Sequence, residues 1–467
     1  MNLIFEKSVK SRRSFYLEQS GIEKHHLKCP LRKEDAPLAE VSELDLVRHY
    51  TALSKQVYGV DNGFYPLGSC TMKYNPRLNE VLANLEGFTS LHPSQNAKEA
   101  KGLNTLLLRL KASLCEISGM DSFTLQPAAG AQGEFCGIML IKKYHNEYKN
   151  VKRDKIIVPD SAHGTNPASA NMCGYTVVTV KSNGEGGVDI DALKEAVGFD
   201  TAGLMLTNPN TLGLFDKNIK QITEIVHSAG GLCYYDGANL NAVMGVCRPG
   251  DMGFDVMHLN VHKTFSSPHG GGGPGSGPVG CKNFLSKYLP KEDNKKSDKN
   301  SIGKLLAFYG SLPVLVRGYA YILTLGAEGL LDASQKAVLN ANYLKKKLQE
   351  DYETAIDRTC MHEFVLDLSS FKEKYGVSAL DVAKTLTDYG IHPPTMYFPL
   401  IVHEALMFEP TETESIQTLD LAANIMKEIK ALAEKGEDLT KRPKNTFIGR
   451  VDEVKAARQP ILKYTKE

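Results

Sequence analysis

The chain has no surplus of charge of either sign and no long uninterrupted hydrophobic run. Its 467 residues include 55 lysines and arginines against 54 aspartates and glutamates, which gives a net charge of +1. Proteins that bind nucleic acid usually present a basic face, so this balance argues against that class. The most apolar stretch, residues 305–330, contains Pro313 and Arg317. It falls short of about 18 uninterrupted apolar residues, which argues against a membrane span.

Closely spaced cysteine pairs are also missing. Tryptophan is absent too, but its absence excludes no class of protein. The nine cysteines are an odd number and no two form a CxxC motif. We therefore expect no disulfide framework and no metal site built on cysteine. The N-terminal segment has no apolar core of signal-peptide length and carries Glu6 early, which is against a transit peptide. We expect a cytoplasmic protein.

What is present is typical of an ordinary globular α/β chain, with 42% apolar residues, 23% charged residues and 40 glycines. At roughly 150 residues per domain the length indicates about three domains. We predict an N-terminal arm over residues 1–60, a large domain over 61–330 and a smaller C-terminal α/β domain over 331–467.

Apolar runs alternate with helical periodicity from about residue 100 onward. A leucine-rich helix is predicted to end at Gly119, and a second helix is predicted over 130–148. Strands are predicted at Ile156–Val158, Thr176–Val180, Gly203–Thr207, Leu232–Tyr235 and Val256–Leu259. Helices are predicted between some of these strands, over 189–197 and 216–229. That alternation predicts a mostly parallel sheet covered by helices.

The C-terminal part is predicted to hold a Lys-rich helix over 334–349, a strand at Phe364–Leu368, a helix over 378–389 and a long helix from about 412. Thr411 and Glu414 have the spacing of a capping box at the start of that last helix. Lys291–Ser301 has no apolar residue and is predicted to be a solvated loop. The glycine-rich stretch Pro268–Cys281 is predicted to be a flexible cover over a site.

Polar, glycine-rich segments follow the predicted strands, where an open α/β sheet places its ligand. Asp236 ends an apolar strand and is followed by Gly237 and Ala238. A carboxylate there is either a cap or a site residue. Lys263 lies between another strand and a glycine-rich turn. A lysine is usually a surface charge, but a desolvated lysine shifts its pKa readily and suits Schiff-base chemistry.

Two further segments lie near residues 130 and 163. Gly130, Ala131 and Gln132 open a helix with small residues, which lets backbone N–H groups approach an anion. A simple tight turn is an equally good explanation. His163 follows a strand among small polar groups, where a histidine is either structural or a stacking partner for a flat cofactor.

Together these signals match the needs of pyridoxal phosphate, namely a phosphate cradle, an acid for the pyridinium nitrogen, an aromatic face and a lysine. Competing motifs fit less well. Gly275–Gly280 matches GxGxxG but does not lead from a strand into a helix. His258 and His262 have HxxxH spacing without the glutamate of a metalloprotease, and we predict no metal site.

The segment His258–Gly275 (HLNVHKTFSSPHGGGGPG) resembles the cofactor-lysine segment of glycine dehydrogenase (decarboxylating), the P-protein of the glycine cleavage system. Other segments resemble the same family: Tyr65–Pro76, Gln126–Glu134, Asp160–Ala170, Thr207–Thr211, Arg248–Phe254, His392–Pro399 and Glu409–Glu414. The resemblance covers roughly residues 55–415. The one-chain form of this enzyme has two tandem halves, and this chain is similar to the active C-terminal half, which is subunit 2 in the split bacterial type.

The resemblance implies a fold-type-I pyridoxal-phosphate-dependent transferase architecture, with a large sheet domain and a smaller C-terminal domain. It implies that Lys263 binds the cofactor covalently as an internal aldimine, that Asp236 pairs with the pyridine nitrogen and that His163 stacks on the ring. It also implies that Gly130, Ala131, Gln132 and His262 hold the phosphate, that Asn210 contacts the phenolic oxygen and that Ala238 is a neighbour of the cofactor.

The reaction that the resemblance implies is glycine decarboxylation with transfer of the aminomethyl group to the lipoyl arm of the H-protein. The expected partners are the homologous subunit 1, in a heterotetramer, the lipoylated H-protein and glycine, with no nucleic acid and no membrane. Two alternatives remain open, another pyridoxal-phosphate-dependent amino-acid decarboxylase or lyase and a scaffold subunit without cofactor. The presence of Lys263, Asp236 and His163 together speaks against the scaffold.

Overall fold

The computed structural model describes residues 2–16, 21, 28–34, 36–96, 98–147, 152–291 and 299–465. The chain divides into two compact units, Met1–Asn62 with Lys444–Glu467, and Gly63–Pro443. This division places residues 444–467 with the N-terminal residues, whereas the sequence analysis assigned them to the C-terminal domain. The boundary at residue 330 stays a prediction.

The second unit contains two sheets. The strands are β1 (Ser122–Thr124), β2 (Lys155–Pro159), β3 (Thr176–Val180), β4 (Thr201–Leu206), β5 (Leu232–Gly237), β6 (Val256–Leu259), β7 (Val279–Cys281), β8 (Glu353–Thr354), β9 (Phe364–Asp367), β10 (Thr395–Met396) and β11 (Ala405–Phe408). The larger sheet has the order β1-β7-β6-β5-β4-β2-β3. Its strands run parallel except β7, which is antiparallel to β6 and to β1. The predicted mostly parallel sheet is confirmed.

The smaller sheet has the order β10-β11-β9-β8 and is antiparallel throughout. Its apolar side chains form a second core with the C-terminal helices, in which Phe364 and Phe408 stack at 5.5 Å between ring centroids. Glu363 precedes β9 and Glu409 follows β11. Because Phe364 and Phe408 are paired in these antiparallel strands, the two glutamates lie at the same edge of the smaller sheet.

The helices are α1 (Glu43–Ser54), α2 (Arg77–Ala83), α3 (Glu86–Thr89), α4 (Lys101–Ser118), α5 (Gly130–Glu147), α6 (Thr165–Met172), α7 (Ile190–Ala196), α8 (Ile219–Ser228), α9 (Val261–Thr264), α10 (Leu312–Leu348), α11 (Ser369–Tyr375), α12 (Ala379–Asp388), α13 (Ile416–Glu434) and α14 (Glu453–Arg458). Helix α4 ends as predicted, because Gly119 adopts the left-handed conformation with φ 71°. Residue 148, the predicted end of the second helix, lies outside the described residues.

The middle of the larger sheet is covered on both faces. Every residue of β4 and β5 is buried, which explains why their sequences are continuous apolar runs rather than alternating ones. Helix α8 packs against this sheet through Ile219, Ile222 and Val226, which recur at helical spacing. The carboxyl ends of the parallel strands consequently meet at one edge, where polar residues follow them.

Helix α10 is, among the described helices, the one long and apolar enough to cross a membrane by length and composition. Its first turn contains Pro313, which is tolerated there because the missing N–H has no partner in a helix anyway. Gly326, with φ 62° and ψ −171°, interrupts the helix. Leu315 packs into the core of the larger sheet and Leu344 into that of the smaller one, so α10 connects the two cores.

One local prediction was wrong, and a second was wrong for part of its range. Helix α13 begins after Ser415, whose hydroxyl accepts the Thr418 N–H at 3.2 Å. Thr411 is not its cap, because its backbone is left-handed with φ 68°. The stretch predicted to cover the site ends in β7, which is a buried strand of the larger sheet. Most of the predicted solvated loop, residues 292–298, lies outside the described residues.

Candidate active site

A cavity of about 210 Å³ lies where the carboxyl ends of β2, β4, β5 and β6 meet the N-terminus of α5. This is the edge at which open α/β sheets bind their ligands. The structure brings most of the predicted site residues to its walls: Lys263, Asp236, His163, Gly130, Ala131, Asn210 and Ala238.

Lys263 reaches the cavity from α9, the short helix that follows β6 after Asn260. Its Nζ donates a hydrogen bond to the backbone oxygen of Ser69 at 2.7 Å. The acceptor is a neutral carbonyl, so this contact holds the amine at the cavity without tying it into an ion pair. Strand β6 fixes the backbone before Lys263, and helix α9 directs the Lys263 side chain into the cavity.

Asp236 lies near the end of β5 and is 4% exposed. One carboxylate oxygen accepts the Asn166 Nδ2–H at 2.8 Å and the other accepts the Ala238 N–H at 3.1 Å. Burial raises the pKa of Asp236, but the charge interaction with His258 and these two hydrogen bonds outweigh burial, so the pKa lies below its usual range. Asp236 is therefore a buried anion at neutral pH.

His163 is held by a chain of polar contacts that begins at a buried glutamate. Thr165 Oγ1 donates to Glu134 Oε1 at 2.6 Å, and His163 Nδ1 lies 3.0 Å from the same hydroxyl. The ring of Phe398 meets the His163 ring edge-on, with centroids 5.5 Å apart. Burial, followed by the charge of Asp236, raises the pKa of Glu134 to about 7. Glu134 ends the segment Gln126–Glu134, but no role was predicted for it from the sequence.

The N-terminus of α5 forms a cradle at the cavity. A Cβ placed on Gly130 would come within 2.6 Å of Asn260 Oδ1, so a larger residue at position 130 would force the Asn260 side chain to move. Asn260 Oδ1 is buried and has no hydrogen-bond partner. Gln132 turns back to the chain instead, where its Oε1 accepts the Ala128 N–H at 2.7 Å. The free N–H groups at the start of this 18-residue helix suit an anion such as phosphate.

Two predicted residues, Gln132 and His262, are not among those that line the cavity. His262 Nδ1 accepts the Ser276 N–H at 3.3 Å, and burial lowers the pKa of His262 to about 4. Asn210 does line the cavity, but its Nδ2 donates to the Gly186 carbonyl at 2.6 Å. The contacts of Gln132 and His262 with the phosphate, and of Asn210 with the phenolic oxygen, stay predictions.

Two carboxylates on one side of the cavity were not predicted: Glu363 lines the cavity, and Glu409 lies beside Glu363. The Ser69 N–H donates to Glu363 Oε2 at 2.7 Å, and the Thr71 N–H donates to Glu409 Oε2 at 2.9 Å. Both loop residues have positive φ, 62° for Ser69 and 54° for Thr71, so the carboxylates hold a conformation that is otherwise unfavourable. The signal was available, because Glu363 and Glu409 flank buried strands as Asp236 does.

Comparison with known proteins places this geometry in a family. Residues 333–449 match the family model of the glycine dehydrogenase C-terminal domain, and residues 136–272 match that of aminotransferase class V. The crystal structure of glycine decarboxylase (P-protein) of the glycine cleavage system in inhibitor-bound form is similar, with a TM-score of 0.71 and 19% identity. The similarity covers 88% of this chain and 94% of that one. The predicted fold class is confirmed.

Whole-chain relatives are much more similar in sequence. A probable glycine dehydrogenase (decarboxylating) subunit 2 from Treponema denticola is 60% identical, over 99% of this chain and 98% of the relative. The protein of the same description from Caldanaerobacter subterraneus subsp. tengcongensis is 56% identical, over 100% and 99%. Identity of this level over both whole chains confirms the resemblance found in the sequence, and the chain belongs to the family of glycine dehydrogenase (decarboxylating) subunit 2.

Proposed function

We propose that this chain decarboxylates glycine with pyridoxal phosphate held covalently on Lys263, and that the remaining aminomethyl group passes to the lipoyl arm of an H-protein. The aminotransferase class-V match and the shared glycine decarboxylase fold imply dependence on pyridoxal phosphate. The observation that carries the proposal is the position of Lys263 and of the buried anion Asp236 on walls of one cavity.

The residues present fit the cofactor. Lys263 provides the amine, Asp236 a buried carboxylate for the ring nitrogen, and His163 an aromatic ring exposed at the cavity. The N-terminus of α5 provides N–H groups for the phosphate, with Gly130 leaving the necessary room. When bound, the cofactor withdraws the electron pair that the departing carboxyl group leaves on the substrate carbon.

Each of the chain's own groups then has a defined task. Asp236 is kept ionised by the charge interaction with His258 and by hydrogen bonds from Asn166 and the Ala238 N–H, so that it can hold a proton on the ring nitrogen. The chain from Glu134 through Thr165 fixes the His163 ring. The cavity, at about 210 Å³, is small beside the roughly 300–1,000 Å³ of common ligand pockets. Little room remains for a substrate side chain, which favours glycine over larger amino acids.

The proposal includes partners and a location. The relatives are named subunit 2, which implies a subunit 1, and we propose a heterotetramer of the two. The lipoylated H-protein is the proposed acceptor of the aminomethyl group. All nine cysteines are free, as is usual in a reducing compartment, and this supports a cytoplasmic location.

Covalent labelling tests the cofactor part of the proposal. The purified chain is loaded with pyridoxal phosphate, reduced with borohydride and digested, and the peptides are identified by mass spectrometry. We expect the reduced cofactor on Lys263 in the wild type and in Lys346→Ala, which alters an exposed lysine, and no label in Lys263→Ala. Label on another lysine would refute the assignment, and a colourless protein even with subunit 1 present would favour the scaffold.

Substrate specificity needs a separate experiment. With subunit 1 and H-protein present, exchange of labelled carbon dioxide into the substrate carboxyl group is measured for glycine, alanine and serine. We expect exchange with glycine and at least tenfold slower exchange with the larger amino acids. Comparable rates with alanine or serine would instead support a different amino-acid decarboxylase.

A further inference from the structure

His362 is a buried histidine with no hydrogen-bond partner. It is 2% exposed, and neither Nδ1 nor Nε2 has a partner. Its Nε2 lies 3.8 Å from Glu363 Oε1, which is too far for a hydrogen bond. Buried polar side chains are nearly always paired, so an unpaired imidazole is available to bind a ligand.

His362 lines the same cavity as Lys263 and Glu363. Burial lowers the pKa of His362, so its ring is neutral and carries one N–H donor at neutral pH. Burial and the nearby charge of Glu409 raise the pKa of Glu363 well above its usual value, which favours the neutral form of its carboxyl group. The surroundings of His362 therefore do not repel an anion as two ionised carboxylates would.

A metal ion is the other ligand that this cluster could take, because polar atoms of His362, Glu363 and Glu409 lie within 4.8 Å of one another. The hydrogen bonds argue against it. Both oxygens of Glu409 already accept bonds from Thr71, and Glu363 Oε2 accepts one from Ser69. Carboxylate oxygens that already accept hydrogen bonds from Ser69 and Thr71 make a poor cation site.

We propose that His362 binds the carboxylate of the amino-acid substrate through a hydrogen bond from its ring N–H. This inference rests on the proposed function. The amino group of glycine is used at the cofactor, which leaves the carboxylate as its one remaining polar group. Among the residues that line the described cavity there is no arginine, and Lys263, the one lysine, is committed to the cofactor. His362 supplies an unpaired neutral donor for the carboxylate at this cavity.

A neutral donor also suits the reaction. An arginine would bind the carboxylate charge tightly in the ground state, and this stabilisation would be lost as the charge moves away with the departing carbon dioxide. Interactions that favour the ground state over the transition state slow the chemical step. A single hydrogen bond from His362 orients the carboxyl group while stabilising its charge less.

Equilibrium binding of two ligands tests the inference. Glycine and methylamine, which lacks the carboxylate, are titrated into cofactor-loaded protein without H-protein, and the absorbance change of the cofactor gives each Kd. In His362→Phe we expect the Kd for glycine to rise about 10- to 100-fold, as for loss of a hydrogen bond to a charged group, and the Kd for methylamine to stay within twofold. His362→Gln, which keeps an N–H donor, should recover most of the glycine affinity.

An equal loss for both ligands would show that His362 is merely structural, and unchanged glycine binding would show that it does not contact the carboxylate. Either result refutes the inference. If the variants fail to fold, ¹⁵N-histidine NMR of the wild type decides, because glycine must shift the His362 ring signals and methylamine must not. A wild type that lacks the Lys263-linked cofactor or does not bind glycine would instead refute the proposed function itself.

Discussion

Thr71 and Glu409 lie 338 residues apart in the chain and are joined by two hydrogen bonds, from the Thr71 N–H to Oε2 at 2.9 Å and from its hydroxyl to Oε1 at 2.7 Å. Asn239 Nδ2 donates to the same Oε1 at 2.8 Å. Glu409 is 0% exposed, so these donors replace its solvation by water. The pairing fastens the loop that carries Ser69, the hydrogen-bond acceptor of Lys263.

Replacing Glu409 by alanine should destabilise the protein. The substitution removes the acceptor of both the N–H and the hydroxyl of Thr71, which is 2% exposed, at about 1–3 kcal/mol for each buried unsatisfied group. We expect the free energy of unfolding in urea to fall by at least about 2 kcal/mol. Glu350→Ala, at an exposed position, should stay within about 0.5 kcal/mol of the wild type. Similar losses in both variants would show that Glu409 does not hold the loop.

A methyl group on Gly130 should weaken cofactor binding. Its Cβ would meet Asn260 Oδ1 at 2.6 Å, so the side chain of Asn260 must move into the cradle at the start of α5. Overpacking of this kind costs about 1–3 kcal/mol, and we expect the affinity of the apoprotein for pyridoxal phosphate to fall about tenfold. Equilibrium dialysis measures it.

The matched control is Gly102→Ala. This exposed glycine lies in helix α4, and a Cβ there would contact nothing within 4 Å. Cofactor affinity should be unchanged, while the unfolding free energy should rise by up to about 1 kcal/mol because alanine favours the helix. Equal cofactor affinities in the two variants would mean that the cradle does not receive the phosphate.

The parts of the fold and site that depend on neighbours in sequence could be predicted. Asp236 and Lys263 could be predicted because Asp236 lies near the end of one buried strand and Lys263 lies soon after the next one, and parallel strands bring such ends together. The helix that ends at Gly119 was found from its periodicity and its glycine. In these cases the local pattern and the tertiary structure agree.

The parts that were missed depend on contacts between distant segments. Strands β1 and β7 have three residues each, which is too short for a recognisable pattern, and they become strands by pairing with one another and with β6. The role of Glu409 depends on Thr71 at the other end of the unit. Likewise, Thr411 has the spacing of a cap, but its left-handed backbone moves the helix start to Ser415.

Removing the charge of Asp236 should weaken cofactor binding. Asp236→Asn keeps the size of the side chain and its contact with Asn166, but it replaces a charge-assisted hydrogen bond to the ring nitrogen by a neutral one. A loss of about 1.5–3 kcal/mol corresponds to a Kd for pyridoxal phosphate about 10- to 100-fold higher. Asp191→Asn, at an exposed residue paired with Lys194, serves as control. An unchanged Kd in Asp236→Asn would show that Asp236 does not pair with the ring nitrogen of the cofactor.

Glu134 should make stability depend on pH. Its pKa is raised from 4.5 to about 7 by burial first and then by the charge of Asp236. A raised pKa in the folded state gives a contribution to stability that is complete below about 4.5 and is lost as the pH rises to about 7. Relative to Glu134→Gln, the wild type should therefore lose unfolding free energy over this window, with a slope of at most about 1.4 kcal/mol per pH unit.

Urea unfolding of both proteins at several pH values from 4.5 to 8 measures this difference, which should become constant above about pH 7.5. A constant difference throughout would mean that Glu134 ionises at its ordinary pKa. The effect of Asp236 on the pKa of Glu134 can be tested in the same way, because Asp236→Asn removes the neighbouring negative charge. In that background the pKa of Glu134 should fall and the window should end at a lower pH. If the window stays where it is, burial alone raises the pKa of Glu134, and the two carboxylates are not coupled.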